Sequence, residues 1–324
     1  MGTATVIKSA LVTGASGFIG THLIRGLAAE GVKVIAIDLR PPRERIDGVE
    51  YVTADVRDLK DFNPAFVPDC IYNFAAVHTT PGHPDHEYYD TNVNGALEVT
   101  TLADRLGVPS IIFTSSISIY GPSEERKAED SAPKPVSAYG KSKLMAERIH
   151  KNWCEAQAMR KLVVVRPAVV FGPGEGGNFA RMASLLKKGF FVFPGGRGVV
   201  KSCIYVGDLI RLIRLAQDSG AKFTLFNGAY PDEITIGKIV SSLQAEYFQS
   251  AKLIDIPAGA VIVTAKVIGT LGGGSVGFHP DRVRKLLTST NIAPTWAIRQ
   301  SAFSEDAFGE GLKRWAEETK RSFI

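Results

Sequence analysis

The sequence predicts an α/β protein in which a doubly wound parallel sheet is accompanied by a smaller C-terminal α/β lobe. Residues 10–12 form a short apolar run typical of a strand buried on both faces. Ile19, Leu23 and Leu27 then recur at the spacing of one helix face. A second apolar run, Lys33–Asp38, ends in an acid. The order strand, turn, helix, strand predicts the first unit of a parallel sheet.

Three glycines, Gly14, Gly17 and Gly20, lie where the first strand turns into the first helix. Because they lack Cβ, the turn can be tight and a pyrophosphate can reach the unpaired N–H groups at the helix N-terminus. Asp38 follows about 20 residues later, where an acid can hydrogen-bond the ribose of a dinucleotide. This context predicts a Rossmann-type site that favours NAD. Arg40 leaves NADP open, because a nearby guanidinium could receive its 2′-phosphate.

Composition predicts an ordinary globular protein of about two domains. The chain has 324 residues, of which 45% are apolar and 22% charged, and its net charge of +5 mildly suits anionic ligands. The basic residues are scattered, so nucleic acid is not an expected partner. The cysteines Cys70, Cys154 and Cys203 lack the spacing of metal ligands. They predict reduced thiols in a cytoplasmic protein without a metal site.

No membrane segment is predicted. The first apolar run is already the opening strand, so the N-terminus does not have the pattern of a signal peptide. Residues 258–271 are apolar but shorter than a membrane span, and Lys266 interrupts them. We expect a buried helix there.

The next two strands supply candidates for the rim of the dinucleotide site. Residues 50–56 predict a third strand whose end, Asp55 and Val56, is placed for the adenine, although Asp55 could equally cap a helix over residues 57–61. Residues 70–77 predict a fourth strand, where the small Ala75 and Ala76 let a dinucleotide lie close. His78 follows and either lines the substrate cleft or is satisfied by loop backbone.

A hydroxyl-rich strand end and a tyrosine–lysine pair predict the reacting groups. Residues 110–116 form a fifth strand that ends in Ser116, and a polar loop over residues 121–136 leads to a helix containing Tyr139 and Lys143. Residues four apart share one helix face. A phenol with a pKa of about 10 is a weak base near neutral pH unless a cation stabilises the phenolate. Lys143 provides that cation, and Ser116 provides a second hydrogen bond to the same substrate oxygen.

The motifs together resemble the extended short-chain dehydrogenase/reductases, in particular the nucleotide-sugar epimerase/dehydratase branch typified by UDP-galactose 4-epimerase. The resemblance covers nearly the whole chain. The matching segments are Thr13-Gly-Ala-Ser-Gly-Phe-Ile-Gly20, Asn73-Phe-Ala-Ala76, Asn92-Val-Asn-Gly95, Ser115-Ser116, Tyr139-Gly-Lys-Ser-Lys143 and Arg166-Pro-Ala-Val-Val-Phe-Gly-Pro-Gly174.

The resemblance implies roles for residues along the whole chain. Catalysis falls to Ser116, Tyr139 and Lys143. Substrate contacts fall to His78, Ser116, Asn178, Arg181 and Arg282, although Arg282 could equally be an exposed helix charge. The expected cofactor contacts are Gly14, Gly17, Phe18, Ile19, Asp38, Asp55, Val56, Phe74, Ala75, Ala76, Asn92, Tyr139, Lys143 and Pro167.

Two departures from the family pattern bear on the activity. The 4,6-dehydratases place Asp-Glu after the catalytic hydroxyl, whereas Ile117 and Ser118 stand here, so dehydration is not expected. The galactose epimerases carry an aromatic pair and an asparagine along the strand that ends at residues 167–169. None of the three is present here, which leaves the nucleotide open.

The resulting hypothesis is an NAD-dependent epimerase acting at C4 of a nucleotide-diphosphate hexose through a transient 4-ketosugar. The same residues would serve a net NAD(P)-dependent dehydrogenase or reductase, because the hydride and proton geometry is shared. A catalytically idle dinucleotide-binding regulator would have no chemical need for all three catalytic groups.

The resemblance also implies the domain organisation and the assembly. The dinucleotide domain is expected over residues 1–177, with residues 201–230 returning to it. The substrate lobe is expected over residues 178–200 and 231–324. Related enzymes pair as homodimers through helices that correspond to residues 88–106 and 139–159.

Overall fold

The computed structural model describes residues 7–79, 82–194, 196–256 and 288–323. The predicted apolar helix at residues 258–271 and the predicted substrate contact Arg282 lie outside them. The strands are β1 (Ser9–Thr13), β2 (Lys33–Asp38), β3 (Val49–Thr53), β4 (Cys70–Asn73), β5 (Ser110–Thr114), β6 (Ser123–Lys127), β7 (Lys161–Pro167), β8 (Val169–Phe171), β9 (Phe190–Pro194), β10 (Cys203–Tyr205), β11 (Phe223–Gly228), β12 (Lys252–Ile256) and β13 (Thr290–Ile292). The helices are α1 (Phe18–Ala29), α2 (Asp85–Leu106), α3 (Ala138–Glu155), α4 (Asn178–Lys187), α5 (Val206–Asp218), α6 (Ile236–Tyr247), α7 (Thr295–Arg299) and α8 (Ala307–Glu318).

Seven of the described strands form one parallel sheet in the order β11-β7-β5-β4-β1-β2-β3. The strand order reverses next to β1, and in such sheets ligands bind beyond the carboxyl ends of the strands at the reversal. The glycine turn follows β1 directly, so the topology brings it to that edge.

The two faces of the sheet are buried in two separate apolar clusters. Along β1, Ala10 and Val12 belong to the cluster that includes Leu23 of α1 and Leu209 of α5. Leu11, between them, belongs to the cluster that includes residues of α2 and α3. Successive strand residues point to opposite faces, so this alternation shows helices packed on both faces. The predicted doubly wound α/β fold is confirmed.

Three short parallel pairs complete the described fold. They join β10 to β8, β12 to β9 and β13 to β6. The strand β6 lies inside the segment predicted to be a loop, and that prediction was wrong for Ser123–Lys127. Its sequence, Ser-Glu-Glu-Arg-Lys, has no apolar alternation, and its pairing comes from Thr290–Ile292, far along the chain.

Three predicted strands end earlier than expected, and the first of them, β3, ends at Thr53. β4 ends at Asn73 and β5 at Thr114, so residues 74–77 and 115–116 leave the ladder and become part of the edge where the site lies. Residues 56–57 form a turn and no helix starts at Asp55. Among the described helices, none combines the length and the apolar character needed to cross a bilayer.

Candidate active site

The glycine turn is shaped for a close approach of backbone and ligand. Gly14 has a φ of +68°, and a Cβ there would lie 2.6 Å from the backbone N of Ala75. Gly17 precedes α1, and no side chain caps that N-terminus. The N–H groups of the first turn are therefore free of side-chain acceptors, as binding of a pyrophosphate requires. These features fit a dinucleotide.

Asp38 is held in place for a ribose. Its carboxylate accepts hydrogen bonds from the backbone N–H of Ser16 at 3.0 Å and of Arg40 at 2.9 Å. The Arg40 guanidinium lies 3.6 Å from the same carboxylate, with its side chain 70% exposed. The acid therefore sits beside the glycine turn, and the arginine extends into solvent.

Most of the other predicted cofactor residues surround the same edge of the sheet. Phe74 donates its backbone N–H to Thr13, and the Ala75 N–H reaches the Thr13 hydroxyl at 3.3 Å. Pro167 ends β7 beside Gly228. Ala76 is half-buried in the segment after β4. Phe18 and Ile19 begin α1 and pack on the core.

The side chains of the predicted cofactor contacts after β3, Asp55 and Val56, are engaged by other protein groups. The Asp55 carboxylate is bound by its neighbour Arg57, which hydrogen-bonds it at 2.6 Å and lowers the pKa of the carboxyl. Val56 is buried in the core against Gly95. An adenine contact there would fall to backbone atoms, and it stays a prediction.

The structure places Ser116 beside Tyr139, with Lys143 one turn further along α3. Ser116 follows β5 and is 8% exposed, and its hydroxyl oxygen accepts the N–H of Ser118 at 3.1 Å. Ser116 is hydrogen-bonded to the half-buried Tyr139. One turn along α3, Lys143 is 1% exposed, with its Nζ 4.5 Å from the ring centroid of Phe113.

Burial shifts the pKa values of Tyr139 and Lys143. Desolvation raises the pKa of the Tyr139 phenol, and the hydrogen bond with Ser116 opposes that rise. Desolvation lowers the pKa of Lys143 to about 7, opposed by the Glu147 carboxylate one turn further along. The lysine is therefore poised between its charged and neutral forms near neutral pH.

Asn92, a predicted cofactor contact, acts within the protein. Its side-chain oxygen accepts the N–H of Val77 at 3.0 Å, and its amide N–H groups reach the Val77 carbonyl and the Ser142 hydroxyl. Ser142 in turn donates to the carbonyl of Tyr139 at 2.9 Å. The Asn92 amide thus ties the segment after β4 to α3, the helix that carries Tyr139.

The predicted substrate residues are less closely assembled. The imidazole of His78 is hydrogen-bonded to backbone at Ala76, and desolvation of the ring, with the charges of Lys143 and Arg40, lowers its pKa. Asn178 and Arg181 are exposed in the first turns of α4. The carboxylate of Glu175 accepts the N–H of Ala180 at 3.0 Å and so caps that helix.

Three residues near the site were not among the predicted ones. Arg43 donates to the carbonyl of Ser16 in the glycine turn, at 3.2 Å. Glu147 and Arg166 form a buried ion pair between α3 and β7 at 2.8 Å. Arg166 follows the apolar run Leu-Val-Val-Val, and a charged residue in such a strand indicates a buried partner. Glu147 could have been found from its position four residues after Lys143, on the same helix face.

The parallel sheet and the glycine turn define an α/β fold that binds a dinucleotide. Residues 10–227 match the NAD-dependent epimerase/dehydratase family, and the chain belongs to it. The cofactor is NAD, as predicted.

Individual relatives resemble the chain at low identity. The N-acetyl-alpha-D-glucosaminyl-diphospho-ditrans,octacis-undecaprenol 4-epimerase of Escherichia coli O157:H7 is 26% identical, and the alignment covers 94% of this chain and 93% of the relative. The UDP-glucose 4-epimerase of Vibrio cholerae is 29% identical, and the alignment covers 64% of this chain and 65% of that enzyme. A crystal structure of UDP-glucose 4-epimerase from Thermotoga maritima with UDP-glucose superposes with a TM-score of 0.78, at 22% identity, covering 98% of this chain and 100% of the other.

Proposed function

We propose that the protein is an NAD-dependent epimerase that inverts C4 of a nucleotide-diphosphate hexose through a 4-ketosugar. The observation that carries the proposal is the hydrogen bond between Ser116 and Tyr139, with buried Lys143 one helical turn away. Two hydroxyl groups that meet at the mouth of a dinucleotide site can share one substrate oxygen.

Bound NAD supplies a hydride acceptor that can return the hydride. The phenolate of Tyr139 accepts the proton of the sugar 4-hydroxyl as C4 loses hydride and a C=O bond forms. Ser116 donates a hydrogen bond to that oxygen, and the ammonium of Lys143 favours the phenolate. The cleft would let the ketosugar turn and present its opposite face to the cofactor, and the Tyr139 phenol would then return its proton to the C4 oxygen. No net oxidation occurs.

The proposal assigns substrate contacts to His78, Asn178 and Arg181. The residues after Ser116 support epimerisation over dehydration, because Ile117 and Ser118 provide no carboxylate to remove a second proton. The substrate lobe is proposed to contain residues 178–200 and 231–324, and residues 201–230 return to the dinucleotide domain. The pairing of β11 with β7 supports that return.

A lipid-linked diphosphohexose is the second candidate substrate. The Escherichia coli relative, which aligns over nearly all of this chain, is named for a hexose carried on a diphospho-polyprenol. In addition, the aromatic pair and the asparagine of the galactose epimerases are missing at residues 167–169, so the sequence does not commit the site to a uridine base.

The test is a substrate panel without added cofactor. Purified protein is mixed separately with UDP-, dTDP- and GDP-hexoses and with a detergent-solubilised polyprenyl-diphospho-hexosamine. NMR follows the product while absorbance follows the reduced nicotinamide. A C4 epimer formed without lasting absorbance supports the proposal and names the carrier. Persistent reduced cofactor, or turnover only with added NAD(P), means a dehydrogenase or reductase instead.

We also propose a homodimer formed through α2 and α3. The two helices pack side by side, and their outward faces expose the apolar side chains of Leu97 (48%) and Met145 (44%). Covering such side chains is favourable. Light scattering should give twice the monomer mass, and Leu97→Glu should reduce it.

A further inference from the structure

A buried ion pair is formed by Arg166 and by Glu147, which lies one helical turn beyond Lys143 on α3. Arg166 donates from Nε to one carboxylate oxygen of Glu147 at 2.9 Å and from Nη2 to the other at 2.8 Å. The side chains are 6% and 9% exposed. The remaining guanidinium nitrogen, Nη1, donates to the Tyr120 hydroxyl at 2.8 Å, and that hydroxyl donates to the Asn227 side chain at 2.8 Å. The carboxylate is therefore fixed in place.

This carboxylate is the charge that opposes the loss of a proton from Lys143. Glu147 lies four residues further along α3, on the same helix face. The other titratable groups around the lysine do not take that role. His78 and His150 both have a lowered pKa, that of His150 about 4, and are neutral above pH 7. Burial raises the pKa of the Tyr139 phenol. The contact from β5 is the uncharged ring of Phe113, whose centroid lies 4.5 Å from the Lys143 Nζ.

We propose that Glu147 and Arg166 are positioning residues that set the charge of Lys143. The Glu147 carboxylate favours the protonated lysine, and Arg166 holds that carboxylate in place and weakens its effect on the lysine. The role given to Lys143 rests on the proposed function. The guanidinium of Arg166 neutralises part of the charge of the Glu147 carboxylate. Removing Arg166 alone should therefore change the Lys143 pKa in the opposite direction to removing both charges.

A purely mechanical role for the pair is the alternative, because it also joins α3 to β7. Buried ion pairs are often replaceable by apolar residues with little change in stability, so a mechanical role predicts that a neutral pair would leave the lysine unchanged. A charge-setting role predicts that the lysine changes even where the fold does not.

The experiment measures the pKa of Lys143 directly, in protein labelled with ¹³Cε-lysine, by NMR titration between pH 5 and 9. Loss of one resonance in Lys143→Met assigns the signal. The double variant Glu147→Gln/Arg166→Met removes both charges at once. We expect its Lys143 pKa to fall by about one pH unit. The single variant Arg166→Met frees the carboxylate, and we expect the Lys143 pKa to rise.

Glu155→Gln is the matched control, since Glu155 also lies on α3 and faces a lysine four residues away, Lys151, but both side chains are more than half exposed. It should leave Lys143 unchanged. An unchanged or raised Lys143 pKa in the double variant overturns the proposal. If Arg166→Met does not fold, the double variant is sufficient for the test. The titration needs no substrate, so a fall in the pKa without any epimerase activity counts against the proposed function alone.

Discussion

The imidazole Nε2 of His22 lies 2.8 Å from the carbonyl oxygen of Pro173. A carbonyl can only accept, so Nε2 carries the proton. Burial lowers the pKa of this histidine, which keeps the ring neutral at pH 7. The first helix of the dinucleotide unit is thereby bound to the loop that precedes α4.

Arg43 makes a second tie between the same regions, and its removal should speed NAD release. Its guanidinium donates to the carbonyls of Ser16 and Gly174, the latter at 2.6 Å. Losing a charged donor to two carbonyls should raise the dissociation rate of NAD roughly tenfold in Arg43→Ala, followed by stopped-flow fluorescence. Arg45→Ala, an exposed neighbour, is the control. An unchanged dissociation rate would mean that the contact of Arg43 with the loop before α4 does not help to retain NAD.

Tyr139→Phe should abolish turnover and spare cofactor binding. The substitution removes the hydroxyl that Ser116 contacts and leaves the ring packed 6.2 Å from that of Tyr88. Removing a general base costs about 10² to 10⁴-fold in kcat. Tyr247→Phe, a half-buried tyrosine of α6, should retain full activity. If NAD binding and turnover disappear together, Tyr139 is not acting as the base.

Gly14→Ala should destroy the dinucleotide site. The added Cβ would lie 2.6 Å from backbone atoms of Phe74 and Ala75, which cannot move without disturbing the sheet. Gly31→Ala separates this crowding from backbone strain, because Gly31 also has a positive φ, +76°, but no atom lies within 4 Å. We expect Gly31→Ala to cost about 1 kcal/mol with NAD retained. Isothermal titration with NAD should show no binding for Gly14→Ala. Equal losses in both would assign the effect to strain.

Lys143→Met should stabilise the protein at acid and neutral pH. The folded pKa of Lys143, about 7, lies below the value of 10.5 expected in the unfolded chain. Between these values the unfolded chain binds the extra proton, so the stability of the parent rises with pH in that window. At pH 6 the Met variant should be more stable by roughly 4 kcal/mol, and the difference should shrink toward pH 10. Denaturant unfolding at both pH values checks this, and a difference independent of pH would contradict it.

Sequence reasoning reached the features that are encoded locally. The turn around Gly14, the acid at Asp38 and the pair Tyr139 and Lys143 each depend on residues close in sequence, with fixed spacing on a strand end or a helix face. The parallel sheet could be predicted because repeated strand and helix units have few ways to pack.

Long-range polar partners were not predictable in the same way. Asn92 is a predicted cofactor contact, but its hydrogen bonds to Val77 and Ser142 were not predicted, because only the packing of α2 on α3 brings Ser142 near. Strand β6 is polar throughout and exists through its pairing with Thr290–Ile292. An amide or a carboxylate accepts many partners, so its sequence neighbours do not determine which one the fold supplies.

The order of strands in the sheet also has a consequence for synthesis on the ribosome. Strand β7 is buried and apolar, and its outer neighbour, β11, comes from a later part of the chain, beyond α4 and α5. At about 5–20 residues per second, a nascent chain presents the open edge of β7 for several seconds before β11 emerges. An unpaired apolar edge is a template for intermolecular pairing. Chains halted within that interval are the ones we expect to recruit holdase chaperones or to aggregate.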